Sequence, residues 1–151
     1  IGASIGIGAD NSKSSPIILM PNQKVWLNSE TILPDDMSLF EITPHMHNIG
    51  RKFISYAITP AGDTIPLVKI DDWDMSWQET YRFNPLVKLP KDTKIMIEGY
   101  YDNSSDNPKN PFNPPQIIRQ SMNKQDEMLL LTLSFFEYKS GDELKKLVYR
   151  H

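Results

Sequence analysis

Two of the chain's three histidines stand one residue apart in "ITPHMHNIG" (42–50): His45 and His47, with the third, His151, at the last position. On an extended strand residues i and i+2 project to the same side, so an H-x-H pair can offer two imidazoles to one ion. Imidazole suits zinc, copper, iron and nickel, and an added thioether would tilt the choice toward copper, Cu(I) especially. Spacing alone is weak grounds, because strand histidines are more often surface residues or satisfied polar groups than ligands. The chain has no cysteine, which excludes thiolate metal sites and a disulfide framework. Any third ligand must therefore be of another type. Seven methionines are present, but methionine is usually core filler, and Met128 could simply open a hydrophobic strand.

Other chemistry has less support. Both central histidines lie in one motif, so no Ser/His/Asp or Cys/His nucleophile arrangement can be assembled around them. No Gly-rich phosphate loop follows a strand. "DNSSDNPKNPFNPP" (102–115) is rich in oxygen donors, yet it lacks the alternating acidic pattern and closing Glu of a calcium loop. An Asx- and Pro-dense connection is the simpler reading. "DDWDMSWQETYRF" (71–83) carries Trp73 and Trp77, which could form a sugar-stacking platform. If the segment is extended, Trp73, Met75 and Trp77 share one face and point to core packing instead.

The elements that must position these residues read as strands. Twelve prolines and clusters of Asn, Asp and Ser separate short runs rich in β-branched and aromatic residues. The expected strands are 16–20, 24–28, 38–43, 51–59, 64–70, 77–83, 93–101, 116–120 and 128–138, with "PAGD" (60–63) as a hairpin turn. Within 38–47, alternation puts Phe40, Ile42 and Met46 on one face and Glu41, Thr43, His45 and His47 on the other. Within 128–136, Leu129, Leu131, Leu133 and Phe135 make the inward face, leaving Met128, Leu130, Thr132 and Ser134 opposite. Both histidines and Met128 thus fall on the less apolar side of their strands, as in a site on the outer surface of a sheet. Nine or so strands at this spacing predict an all-β, two-sheet sandwich of jelly-roll or Greek-key type.

Composition bounds the rest. A chain of 151 residues fits one domain with a sizeable core. Sixteen basic and 19 acidic residues, without a basic cluster, give no footprint for nucleic acid. The longest apolar runs, such as "MLLLTLSFF" (128–136), are too short to span a bilayer. Residues 1–15 read as an N-terminal fragment or linker, 16–140 as the sandwich, and 141–151 as a tail, a short helix or an edge element.

Three stretches in order, "PHMHNIGRKF" (44–53), "DNSSDNPKNP" (102–111) and "DEMLLLTLSFFEY" (126–138), resemble the C-terminal domain of the copper type II, ascorbate-dependent monooxygenases. The animal members of that family are peptidylglycine α-hydroxylating monooxygenase and dopamine β-monooxygenase. "WDMSWQETYRF" and "LPKDTKI" are in the style of its bacterial relatives, and the resemblance covers most of residues 16–138. It implies a jelly-roll sandwich in which His45, His47 and Met128 hold one copper, the oxygen- and substrate-side metal of a two-copper hydroxylase that uses ascorbate as reductant. The second copper belongs to a preceding domain, so the resemblance implies an upstream partner in the same polypeptide, an isolated chain that does not turn over, and an extracytoplasmic (periplasmic or cell-envelope) bacterial setting. The chain departs from the peptide-amidating members at two positions. Where they carry a substrate-binding Arg and Tyr, this sequence has Thr43 and Thr132, which puts peptide amidation and the substrate in doubt. The rival expectations are a copper carrier or sensor using the same three residues, and a metal-free jelly-roll module for carbohydrate or protein contact.

Overall fold

The computed structural model describes residues 3–8 and 16–148. The elements in order are β1 (Ala3–Gly8), β2 (Ile18–Leu19), β3 (Lys24–Ile32), β4 (Met37–Met46), β5 (Gly50–Ile58), β6 (Thr64–Ile70), β7 (Tyr81–Leu89), β8 (Lys94–Asp102), β9 (Ile118–Arg119), β10 (Leu129–Glu137) and a 3-10 turn at Asp142–Leu144. They form two antiparallel four-stranded sheets, ordered β1-β10-β4-β7 and β3-β8-β5-β6, and a small β2-β9 pair. Consecutive strands β3 and β4, β4 and β5, β6 and β7, and β7 and β8 lie in different sheets, as the Greek-key sandwich expected from the strand spacing requires.

One apolar cluster joins the sheets. From the first sheet come Leu39, Ile42, Met46, Leu129, Leu131 and Leu133; from the second, Phe53, Ala57, Ile95, Ile97 and Tyr101. Each large aliphatic side chain buried in this way contributes about 1.5–3 kcal/mol. At Gly99, in β8, the other sheet comes close to the backbone. A Cβ there would lie 2.9 Å from Leu129 Cδ1 and 3.0 Å from Met46 Sδ. The thioether of Met46 occupies that space, and Met46 lies between the two histidines.

Three expectations are corrected. Residues 3–8, expected within a linker, form β1, because β10 otherwise presents a row of unpaired backbone groups that an extended chain can satisfy; Ile5 and Ile7 pair with Leu133 and Leu131. Phe40 does not point inward with Ile42. The register shifts between Leu39 and Glu41, so Leu39 enters the core while Phe40 stacks on Phe136 at 4.8 Å on the outer face. The strand expected at 77–83 begins only at Tyr81 and continues through Asn84 and Pro85 to Leu89. The edge position of β7 tolerates that proline, and the bulge opposite Phe40 absorbs the extra residues.

Candidate metal centre

β4 carries His45 near its end, and His47 follows in the connection to β5. His45 lies opposite Leu130 of β10, and Met46 opposite Leu129. Directly opposed residues share a face, so His45 and Leu130 lie on one side while Met46 and Leu129 fill the core on the other; the ladder ends there, with His47 and Met128 in the connections just beyond it. The strand phase read from the sequence holds at this end of the sheet.

Two loops lock the imidazoles. His47 Nδ1 is 2.9 Å from the carbonyl oxygen of Asp126. A carbonyl can only accept, so Nδ1 carries the proton and Nε2 keeps its lone pair. His45 Nδ1 meets Gln78 Oε1. The Gln78 amide is held by its own Nε2, which donates to the Met75 carbonyl at 3.0 Å, so the oxygen faces the imidazole and Nδ1 is again the donor. An imidazole whose Nδ1 donates to a carbonyl is oriented as metal-binding histidines are. The ring centroids lie 5.0 Å apart, with the planes at 84°. An ion about 2 Å from a ring nitrogen lies roughly 3 Å from that ring's centre, so two rings sharing it stand no more than about 6 Å apart. The pair meets that condition. Burial lowers the pKa of His47 and the nearby His45 pushes the same way, against the opposing backbone hydrogen bonds to Asp126 and Asn123; the net effect favours the neutral form.

Glu127 went unrecognised as a functional residue in the sequence, where it reads only as part of D-E-M. Its side chain is fully buried. Oε2 accepts the backbone N–H of His47 at 2.8 Å and of Met128 at 3.2 Å, and Oε1 accepts that of Ile49 at 2.8 Å. One carboxylate therefore joins the histidine segment to the methionine segment. Burial raises its pKa to about 7 against the lowering effect of these N–H donors. Its only sequence signal was an acidic residue entering an apolar strand. From the other sheet, the hydroxyl of buried Tyr101 donates to the Met128 carbonyl at 2.7 Å.

The face is less open than expected of an outer sheet surface. His47 is 3% exposed, and His45 and Met128 are half-buried beneath the loops that supply Gln78 and Asp126. Beyond them, Thr132 pairs with Thr43, whose hydroxyl is 2.9 Å from that of Thr80. The two positions where the resembling enzymes place Arg and Tyr are thus neighbours on the histidine face, filled by small hydroxyls. Among the described residues no three His, Cys, Asp or Glu side chains gather into a metal cluster. A third ligand to this pair would have to be of another kind, such as a thioether.

Other sequence candidates resolve structurally. The amides of 102–115 are spent within the fold. Asn103 Nδ2 donates to the carbonyls of Leu19, Met20 and Gln116, and Asn107 Nδ2 to that of Asp102. Trp73 is buried against Phe53, whereas Trp77 is 72% exposed, so they form no shared stacking platform. The segment is a turn rather than a strand, because Asp74 accepts both the N–H and the hydroxyl of Ser76.

No family model matches the chain, and no curated protein matches it. A solved structure similar to it is a family two carbohydrate esterase from Cellvibrio japonicus, at 15% identity and a TM-score of 0.27. The match covers 92% of this chain and 36% of the esterase chain, so this chain spans about a third of that protein. At that score the likeness bears on neither fold nor activity.

Proposed function

We propose that this chain is a copper-binding domain, the oxygen- and substrate-side half of a two-copper hydroxylase, with His45, His47 and Met128 as the ligands of one copper. The observation that carries this reading is the pair of imidazoles, each donating Nδ1–H to a carbonyl oxygen, with rings 5.0 Å apart. Support for Met128 comes from Glu127, whose carboxylate accepts the backbone N–H of both His47 and Met128. Two imidazoles and a thioether are a donor set suited to Cu(I). Copper bound there supplies reaction with oxygen for hydroxylation of an activated C–H bond. The protein's own residues orient the ligands, through Gln78, Asp126 and Glu127, and limit water through the half-buried setting. With only His151 remaining, this chain cannot assemble a second histidine site, so the reading includes an upstream domain of the same polypeptide, an extracytoplasmic bacterial location, and an isolated chain that binds copper without turnover.

Titration with Cu(I) and Cu(II) against a competing chelator tests this. One Cu(I) per chain is expected, with affinity sharply reduced in His47→Ala and Met128→Ile. A stoichiometry well below one, or affinity indifferent to both substitutions, overturns it.

A further inference from the structure

The four edges of the two large sheets are not alike. β1 and β7 stand at the margins of one sheet, β3 and β6 at those of the other. β6 and β7 carry Pro66 and Pro85, neither of which can donate to a further strand. β7 is also lined by the segment after β10: the Asn84 side chain donates to the Leu147 carbonyl at 3.3 Å and accepts the Leu147 N–H at 3.1 Å. β1 holds Gly6 and Gly8, which weaken a strand. β3 is nine residues long without proline or glycine, and among the described residues it pairs with β8 alone. β1 stands near it in the other sheet without pairing to it. An edge of that kind presents backbone N–H and C=O groups to an added strand.

The side chains of β3 select the strand that fits. Lys24, Trp26, Asn28 and Glu30 alternate along the outward face, between the more buried Val25, Leu27 and Ser29. Trp26 is 46% exposed and leans on Tyr100 of β8, with ring centroids 5.3 Å apart. Lys24 lies 3.6 Å from Asp102 and 3.7 Å from Asp106, and Glu30 lies 3.4 Å from Lys94; these loose ion pairs leave both charges half exposed. A second β3, laid antiparallel about a two-fold axis through Leu27, sets Lys24 opposite Glu30 of the partner subunit and Glu30 opposite the partner's Lys24. Asp102, Lys24, the partner's Glu30 and the partner's Lys94 then alternate in sign across the junction. Sliding the copies by one residue would set outward side chains against inward ones. Sliding them by two puts Lys24 opposite Ile32 or Asn28 and pairs no opposite charges. Charges on an edge ordinarily keep a like strand away, but their order along β3 makes them attract.

We propose that β3 is a self-association edge: two copies of this chain pair antiparallel through residues 24–30 and join their β3-β8-β5-β6 sheets into one continuous sheet. The occupant is a second copy because the charge order is complementary to itself. The pairing stands apart from the copper reading, since β3 lies in the sheet that does not carry His45.

Sedimentation equilibrium of the whole chain from about 10 µM to about 1 mM, the range of a small interface, tests this. A reversible monomer–dimer equilibrium is expected. Lys24→Glu and Glu30→Lys each occur twice in a dimer and turn both junction pairs into like-charge contacts. Each should weaken association at least about tenfold. An equimolar mixture of the two variants restores opposite charges at both positions and should associate within about threefold of wild type. Urea midpoints of both variants should stay near wild type, because the ion pairs they alter within one chain are exposed. In hydrogen exchange, the β3 amides that point away from β8 should gain protection as protein concentration rises. A chain monomeric throughout the range, association indifferent to both substitutions, or a mixture no stronger than the single variants overturns the proposal. Protection of those amides that is independent of concentration assigns the edge to a segment of the same chain and overturns it as well.

Discussion

Glu127 and Asp142 do the same structural job at two places in the molecule, under opposite electrostatics. Glu127 gathers the N–H groups of His47, Ile49 and Met128 around a carboxylate that has no ion pair among the described residues, and burial holds its pKa up at about 7. Asp142 gathers the Lys139 N–H and the Ser38 hydroxyl, but Lys145 also donates to it at 2.7 Å. That ammonium first, then the Lys139 N–H and the Ser38 hydroxyl, hold its pKa at about 2. Counting hydrogen bonds alone would make the two sites equivalent. What separates them is countercharge: a buried carboxylate without a cation is costly to ionise, and one held by an ammonium is not. Glu127 stands at the histidine end, where two ligand-bearing segments must keep a fixed spacing. The other ties down the segment after β10.

The comparison is broken most severely by Glu127→Ala, which orphans three backbone N–H groups in a buried setting. It should destabilise the protein by about 3 kcal/mol or more in urea unfolding and weaken Cu(I) binding together with the fold. Gly99→Val tests the packing beneath the same site. Its side chain would meet Leu129 and the Met46 thioether, and overpacking there should cost roughly 1–3 kcal/mol, read as a lower urea midpoint with an unchanged slope. Gln78→Leu separates orientation from stability. Gln78 is exposed, so unfolding should move by no more than about 0.5 kcal/mol, while Cu(I) affinity falls at least about tenfold because His45 loses the acceptor that fixes its ring. Asp142→Asn is the smallest. Because the folded-state pKa is depressed, the contribution of Asp142 is present above about pH 4 and is lost as pH falls toward 2. Wild type should therefore be the more stable near neutral pH, and the two curves should converge between pH 4 and pH 2. Parallel curves across that range would remove Asp142 from the comparison.

Period-two alternation was sufficient for the fold class and for setting His45 on the face opposite Met46 and Leu129, because each side of a strand in a two-layer sandwich meets either core or not core. It failed at Phe40, where a bulge reversed the phase, and a bulge is a two-strand event that one strand's sequence does not display. It failed again at Trp77 and at β7, where an aspartate side chain turned the backbone and the edge position admitted a proline. The linker reading of residues 3–8 missed β1 because its stability comes from an open edge on β10, more than a hundred residues away in sequence.

The amino-acid sequence by itself determined an all-β chain without thiolate chemistry, an H-x-H pair at the end of one strand, and a methionine just before another. Local periodicity and residue chemistry carry that information. Only the tertiary structure decided that Gln78 and Asp126 hold the Nδ1 side of each imidazole and that Glu127 joins the histidine and methionine segments. Each of these depends on groups dozens of residues apart meeting at hydrogen-bond distance. Such meetings follow from how two sheets and their loops pack, and no spacing along the chain encodes them.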